Sequence, residues 1–177
     1  PTSYVRTTTA AVARTGDVVR MTGTNFSDWY NQSEGTFLVD MDISHFGVSY
    51  PRILAVHDGT SSEKLYLYYT GSSTNVNLSV KSASGTDGNV YTGTTLGLGA
   101  PVKVSFSYAL NNLALVVDGA TAGTNTNTAL PTVTAVTIGA DYNSSGYTNY
   151  YAINGHISRL MYWPKRLSDS ALQSLTS

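Results

Sequence analysis

The chain has 177 residues, a formal net charge of −1 and no cysteine. This length suits one domain that buries enough surface to be stable without disulfides. Only 12% of the residues are charged, so the basic surface expected for binding nucleic acid or an anionic membrane is missing. The apolar runs are too short to cross a bilayer. The 13 tyrosines and 16 glycines, with many Thr, Ser and Asn residues, favour an all-β protein with a hydroxyl-rich surface.

Residues 1–15 are polar and rich in Thr and Ala, with no sustained hydrophobic period. We interpret them as the end of a linker and an edge segment that precede a β-sandwich domain over residues 16–177. A first edge strand is expected near residues 17–22. Because the chain starts at Pro1 and not at methionine, we expect it to be a piece of a longer protein.

Most of the chain alternates between apolar and polar residues, which is the period of a β-strand with one buried face. The clearest case is residues 36–44, where Phe37, Val39 and Met41 occupy alternate positions. Further strands are predicted at residues 52–57, 64–70, 76–81, 102–109, 113–117, 132–138 and 157–163. About ten to twelve short strands separated by turns predict an all-β, two-sheet antiparallel sandwich.

One short helix is predicted, at the end of the chain. Pro164 ends the last strand, because proline has no N–H to donate to the strand ladder. Ser168 is a good N-cap, and Asp169 places a negative charge in the first turn, where the helix dipole favours it. Leucines on both sides of the cap are spaced for a hydrophobic staple. We therefore expect a helix over residues 169–175.

This ending resembles the C-terminus of concanavalin A-like (laminin G-like) jelly-roll domains, in the form found in bacteriophage tail fibre, tailspike and other virion proteins. That form ends in the pattern G-x-I-x-R-x-x-Y-x-P-x-R-L-S and a short helix. The matching residues are Gly155, Ile157, Arg159, Tyr162, Pro164, Arg166, Leu167 and Ser168. Residues 31–43 contain the S-E-G-T turn that is typical of this family before an inner strand. Residues 113–119 and 136–140 are also similar to family strands.

The resemblance implies a jelly-roll sandwich of the concanavalin A-like lectin and glucanase superfamily, located in a virion and acting outside the cell at the host surface. The expected function is non-catalytic adhesion to a cell-surface polysaccharide or other glycan, within a fibre that the analogy makes a homotrimer. The alternatives are a structural fibre-tip or virion decoration module without glycan binding, a polysaccharide-degrading enzyme of the same fold, and a bacterial carbohydrate-binding module. The charge and the hydropathy predict no nucleic-acid partner and no membrane insertion.

No catalytic pattern is recognisable in the sequence. Retaining glycoside hydrolases need two carboxylates beside the scissile bond, and glucanases of this fold typically present Glu-x-Asp-x-x-Glu along one strand. The corresponding strand has Asp40 and Asp42 but no glutamate, while Glu34 and Glu63 lie in apparent turns. We interpret Asp40 and Asp42 as a solvated strand face and expect no enzymatic activity.

Two tyrosine-rich segments favour glycan binding, because sugar rings stack on aromatic side chains while their hydroxyls bind Asn, Asp, Ser and Thr. Residues 141–151, DYNSSGYTNYY, are expected to form a loop that contacts the glycan. Its candidate ligand-binding residues are Tyr142, Asn143, Tyr147, Asn149, Tyr150 and Tyr151. Tyr66 and Tyr68 share a strand face and form a second candidate surface, for which simple covering of the sheet is the alternative.

The function expected here needs no cofactor, and calcium is the alternative left open. Asp141 and Asn143 offer hard oxygen ligands at positions i and i+2, as calcium-binding loops do. Their spacing matches no specific cage, and short Asx-containing loops are commonly simple turns.

Overall fold

The computed structural model is a sandwich of two antiparallel β-sheets, and it describes residues 19–46, 49–71, 75–143, 146–148 and 151–177. The first sheet has six strands, in the order β1 (Val19–Thr22), β10 (Ala135–Ile138), β3 (Arg52–His57), β4 (Lys64–Tyr69), β5 (Asn75–Lys81) and β6 (Gly88–Thr95). The second has five strands, in the order β13 (Gly155–Trp163), β2 (Glu34–Ile43), β7 (Val102–Ala109), β8 (Leu113–Val117) and β9 (Gly123–Asn125). A small hairpin and two helices complete the described structure: β11 (Asp141–Asn143), β12 (Gly146–Thr148), α1 (Thr24–Ser27) and α2 (Asp169–Thr176).

The predicted all-β jelly-roll sandwich with a short C-terminal helix is confirmed. The expected edge strand is β1, at the edge of the six-stranded sheet. The proposed linker over residues 1–15 and the domain boundary at residue 16 lie outside the described residues. The sequence did not reveal β6, because its segment GNVYTGTT has little apolar alternation. This strand depends on tertiary contacts, since it pairs with β5 and its Gly88 lies directly against Thr128.

The core fills the space between the two sheets. Phe37 of β2 stacks on Phe106 of β7, with ring centroids 5.1 Å apart. Leu65 and Leu67 of β4 face them from the six-stranded sheet and are fully buried. The central strands β3 and β4 are buried on their outer side as well, apart from the half-buried Tyr68. The outward side chains of β3 and β4 are therefore largely shielded from solvent.

Helix α2 covers the outside of the five-stranded sheet. Its Leu172 is fully buried against Ala114 and Val116 of β8. The hydroxyl of Ser168 accepts a hydrogen bond from the Ala171 backbone N–H at 3.2 Å, which confirms the predicted N-cap.

Two motifs that carry the family resemblance contact each other. Glu34, which was expected in a turn but begins β2, accepts a hydrogen bond from the backbone N–H of Arg166 at 2.8 Å. The buried hydroxyl of Thr36 donates to the carbonyl of Lys165 at 2.8 Å and accepts from the N–H of Leu167 at 2.9 Å. The S-E-G-T segment therefore supplies hydrogen-bond partners for backbone groups of residues 165–167, which follow the end of β13 and do not pair with a neighbouring strand.

Among the residues that the structure describes, no helix has the length and apolar character needed to span a membrane.

A pair of substitutions measures how much the hydrogen bonds of Thr36 to the backbone of Lys165 and Leu167 contribute to stability. Thr36→Val keeps the side-chain shape but leaves two backbone groups without their partner, so we expect a loss of about 2 kcal/mol in the free energy of unfolding. Ser107 lies directly opposite Thr36 on β7 and is equally buried, yet its hydroxyl has no hydrogen-bond partner among the described residues. Ser107→Ala should therefore be close to neutral. Urea unfolding of both variants checks this, and equal losses would contradict it.

Candidate functional site

The outer face of the six-stranded sheet is polar and aromatic. Register places Tyr68 beside Arg52 on β3 and beside Asn77 on β5, and Asn77 lies beside Tyr91 on β6. Cross-strand partners share a face, so these side chains form one continuous row. Ser79 continues the polar surface in the next row, where its hydroxyl donates to the Asn89 side chain at 2.7 Å. The outward side chains of this sheet are therefore aromatic rings and hydrogen-bonding groups.

A shift in register puts Arg52 on this face. Arg52, Leu54 and Val56 occupy alternate positions, so a regular strand would direct all three toward the core. The pairing of β3 with β4 shifts between Arg52 and Leu54, and both Ile53 and Leu54 lie in the core. Such irregularities re-aim side chains next to functional sites. Here the shift returns Arg52 to the outer surface.

The guanidinium of Arg52 lies among three tyrosine rings. Its central carbon is 4.3 Å from the centroid of Tyr66, 4.9 Å from that of Tyr68 and 4.8 Å from that of Tyr151. It also donates to the backbone carbonyl of Tyr50 at 2.9 Å. Only 8% of Arg52 is exposed, so these cation–π contacts form in a largely dry environment, where they are strongest.

Two further tyrosines present their rings to solvent at the rim. Tyr50 is 51% exposed and Tyr91 is 65% exposed. The ring of Tyr50 lies 6.1 Å from that of Tyr68, which lies 5.4 Å from that of Tyr66. The φ angle of Tyr50 is +61°, an uncommon value for a residue with a side chain, and the bond from Arg52 to its carbonyl supports that conformation. We call Arg52 with Tyr50, Tyr66, Tyr68, Tyr91 and Tyr151 the tyrosine face.

Asp141 supplies the negative charge beneath the tyrosine face. Its Oδ2 lies 3.3 Å from Nε of Arg52 and 3.0 Å from Nζ of Lys64. Asp141 is 3% exposed, and its Oδ1 has no hydrogen-bond partner among the described residues. A calcium ion at Asp141, the open alternative from the sequence, would compete with two cations already bound to this carboxylate. No cluster of three or more acidic or histidine side chains suited to a metal occurs in the described part of the chain.

The segment expected to be a loop contains the hairpin of β11 and β12. Tyr142 of β11 stacks on His57 at 5.1 Å and 8°, with the guanidinium of Arg20 4.4 Å from the Tyr142 ring. An imidazole and a guanidinium therefore pack against the Tyr142 ring, and the contact of Tyr142 with a glycan stays a prediction. Tyr151 lies over Arg52 and adjoins the Tyr66 and Tyr68 surface.

Some predicted residues of this segment cannot be placed in the site. Tyr147 pairs with Tyr142 in register and Asn143 pairs with Gly146, both at the level of the backbone. Asn149 and Tyr150 lie outside the described residues. The role of these four residues in glycan contact stays a prediction.

The structure adds residues that the sequence did not identify, namely Tyr50, Arg52, Lys64, Asn77 and Tyr91. The polar positions of β5 alternate with Val76 and Leu78, and that alternation was the available signal that a polar face exists. Nothing local indicated that Arg52 would join it.

Asp40 and Asp42 lie on the other sheet, away from the tyrosine face. Asp40 forms an ion pair with Arg159 at 2.7 Å, and Asp42 lies 3.2 Å from His156. Each carboxylate therefore has a basic neighbour on β13. This pairing is consistent with their interpretation as a surface strand face.

A second candidate location is an open cleft of about 540 Å³ between the edge strands β1 and β13. Its walls are largely aliphatic, with Ile138, Ile153 and Leu160 among the lining residues, and none of those residues is aromatic. Because sugar recognition depends on stacking against rings, the tyrosine face is the better candidate.

No protein-family model and no curated protein matches the sequence. Solved structures do match. The CBM40 domain of the Ruminococcus gnavus IT-sialidase, bound to α2,3-sialyllactose, aligns with a TM-score of 0.69 and 18% identity over 83% of this chain and 84% of that chain. A SAP-like pentraxin from Limulus polyphemus aligns with a TM-score of 0.65 and 14% identity over 94% and 84% of the two chains.

A third match is the NanB sialidase of Streptococcus pneumoniae, with a TM-score of 0.71 and 14% identity. It covers 88% of this chain but 26% of the sialidase chain. At these identities the likeness establishes the fold, which is the concanavalin A-like jelly-roll sandwich that the sequence predicted.

His57, beneath Tyr142, makes stability depend on pH. Burial, and to a smaller extent the positive charge of Arg20, lower the pKa of His57 from 6.5 to about 4. Between these two values the unfolded chain binds a proton that the folded protein does not bind. The contribution of the neutral His57 to the free energy of unfolding is therefore fully present above about pH 6.5 and is lost as the pH decreases toward 4.

We expect the free energy of unfolding to be about 2 kcal/mol lower at pH 5 than at pH 7 from this group alone. His57→Gln, which can keep the contact to the Thr137 hydroxyl (2.9 Å in the native protein), should remove that component. Urea unfolding at both pH values measures it. An unchanged pH dependence in the variant would show that His57 is not responsible.

Proposed function

We propose that this chain is a carbohydrate-binding domain and that the tyrosine face is its glycan site. The observation that carries the proposal is the group of five tyrosines on one sheet face, four of them in contact with Arg52, beside the polar groups of Asn77, Ser79 and Asn89.

The arrangement suits the chemistry of a sugar. The exposed rings of Tyr50 and Tyr91 offer flat apolar surfaces to the C–H faces of a pyranose. The hydroxyl of Tyr68 is protonated at physiological pH and can donate a hydrogen bond, and burial raises its pKa further, to about 12. Because Arg52 contacts four of these tyrosines through rings or backbone, little ordering entropy is lost when a ligand binds.

The likeness to the Ruminococcus gnavus CBM40 domain, which was solved with sialyllactose bound, supports glycan binding on this fold. The setting in a virion, as a tail fibre or other adhesion protein and as a homotrimer, stays a prediction from the C-terminal resemblance. The absence of catalysis also stays a prediction, which the ion pair of Asp40 with Arg159 and the contact of Asp42 with His156 support.

The rim tyrosines provide the direct test. Tyr50→Ala and Tyr91→Ala should each weaken glycan binding about fivefold, because stacking on one ring contributes on the order of 1 kcal/mol. The double variant should lose about 25-fold with little change in thermal midpoint, since both rings are more than half exposed. A glycan array selects the probe, and calorimetry on the isolated domain gives the affinities.

Leu110→Ala is the matched control, because Leu110 is 65% exposed but lies at the end of β7, in the other sheet. Full binding by the double tyrosine variant would exclude the tyrosine face as the site. Loss of several degrees of stability would instead identify the two rings as structural.

The proposed lack of catalysis has its own test. Asp40→Asn and Asp42→Asn should leave glycan affinity unchanged, because both carboxylates are on the opposite sheet. No release of reducing ends is expected from a bound polysaccharide with either the native domain or these variants. Release by the native domain that either substitution removes would make the protein a glycosidase.

A further inference from the structure

Basic side chains lie beside the tyrosine face on the same sheet. His57 of β3 lies directly opposite Lys64 of β4, which lies directly opposite Lys81 of β5. Lys64 and Lys81 are like charges in directly opposed positions of the sheet, which is destabilising. His57 is neutral at neutral pH, because its pKa is lowered to about 4. Arg52 and Arg20 add two more cations, through their contacts with Tyr66 and Tyr142.

Among the described residues, two carboxylates form ion pairs with three of these cations. Asp141 neutralises Arg52 and Lys64 with a single oxygen, and Asp87 pairs with Lys81 at 2.6 Å. Two other nearby carboxylates bind neutral donors. Asp58, directly after β3, accepts from the backbone N–H and the hydroxyl of Thr60, both at 2.7 Å. Glu63 accepts from the backbone N–H of Ala83 at 3.0 Å and of Thr132 at 2.7 Å.

The excess charge is largely buried. Arg52 is 8% exposed and Lys64 is 9% exposed, yet the two share one carboxylate. A buried cation without its own counter-charge raises the free energy of the folded protein.

We propose that the ligand of the tyrosine face is an acidic saccharide, whose carboxylate adds a second negative charge for Arg52 and Lys64, which share Asp141, in the row that Lys64 forms with Lys81. The inference rests on the proposed glycan-binding function and adds the chemical class of the sugar. The carboxylate can belong to a sialic acid or to a uronic acid, which present the same charged group on a pyranose ring. The tyrosine rings hold the apolar face of the sugar while the basic row holds its anion.

Matched probe pairs separate charge from sugar recognition. 3′-Sialyllactose is compared with lactose, and trigalacturonate with its methyl ester, by calorimetry on the whole chain. We expect the acidic member of at least one pair to bind about tenfold more tightly at low salt. The preference should shrink at 0.5 M salt, where the Debye length is only a few ångströms. The pair that shows the preference identifies the class of acid.

Variants locate the effect. Lys81→Met should weaken binding of the acidic probe about three- to tenfold and leave its neutral partner unaffected, since Lys81 has a 39% exposed side chain and little role in packing. Lys64→Met should act in the same direction, with its thermal midpoint recorded because Lys64 is buried. Lys165→Met, on an exposed residue after β13, is the charge-matched control and should change nothing.

The outcomes distinguish this inference from the function on which it rests. Equal affinity for acidic and neutral probes, with both dependent on Tyr50 and Tyr91, would overturn the acidic ligand and leave glycan binding intact. An acidic preference that survives both lysine substitutions would overturn the assignment to this row. Binding of no glycan at all would overturn the proposed function and this inference together.

Discussion

The position of Arg52 on the outside of the six-stranded sheet is the constraint on which the candidate site depends. The register shift between Arg52 and Leu54 brings the guanidinium out of the core and under the tyrosine rings. From there it supports the carbonyl of Tyr50 and pairs with Asp141 at the start of the hairpin. A backbone bridge between Arg52 and Ala152 also sets Tyr151 over the same guanidinium. One side chain therefore joins chain segments that are distant in sequence.

The fold was predictable because its signals are local and repeated. Alternation in residues 36–44 and 76–81 defined buried strand faces, and Ser168 with Asp169 defined the start of the C-terminal helix. The resemblance of the C-terminus has a structural explanation as well. Glu34 and Thr36 bind the backbone that follows β13, so two distant motifs are two halves of one contact. Such a contact constrains both segments together, whatever ligand the domain binds.

The site was only partly predictable, because some of its residues are recognisable from the pattern within one strand, whereas their arrangement depends on how several strands pair. Tyr66 and Tyr68 were identifiable, since their alternation with leucines places them on one strand face. Arg52 was not, because strict alternation directs it toward the core together with Leu54 and Val56. The row formed by His57, Lys64 and Lys81 was equally hidden, since it exists only once three strands are paired in register.

The hairpin shows why a tyrosine-rich, polar segment does not by itself indicate a free binding loop. Aliphatic neighbours are one way to pack a ring, but cations and imidazoles pack against its face equally well. Tyr142 uses Arg20 and His57 in this way, and Tyr151 uses Arg52. Asp141 and Tyr151, at the two ends of the segment, are both held by Arg52, so the segment is anchored to the tyrosine face by the cation that its carboxylate partly neutralises. The charge of the site and the position of the hairpin are thus set by the same interaction. An anion that binds beside Asp141 would act on both.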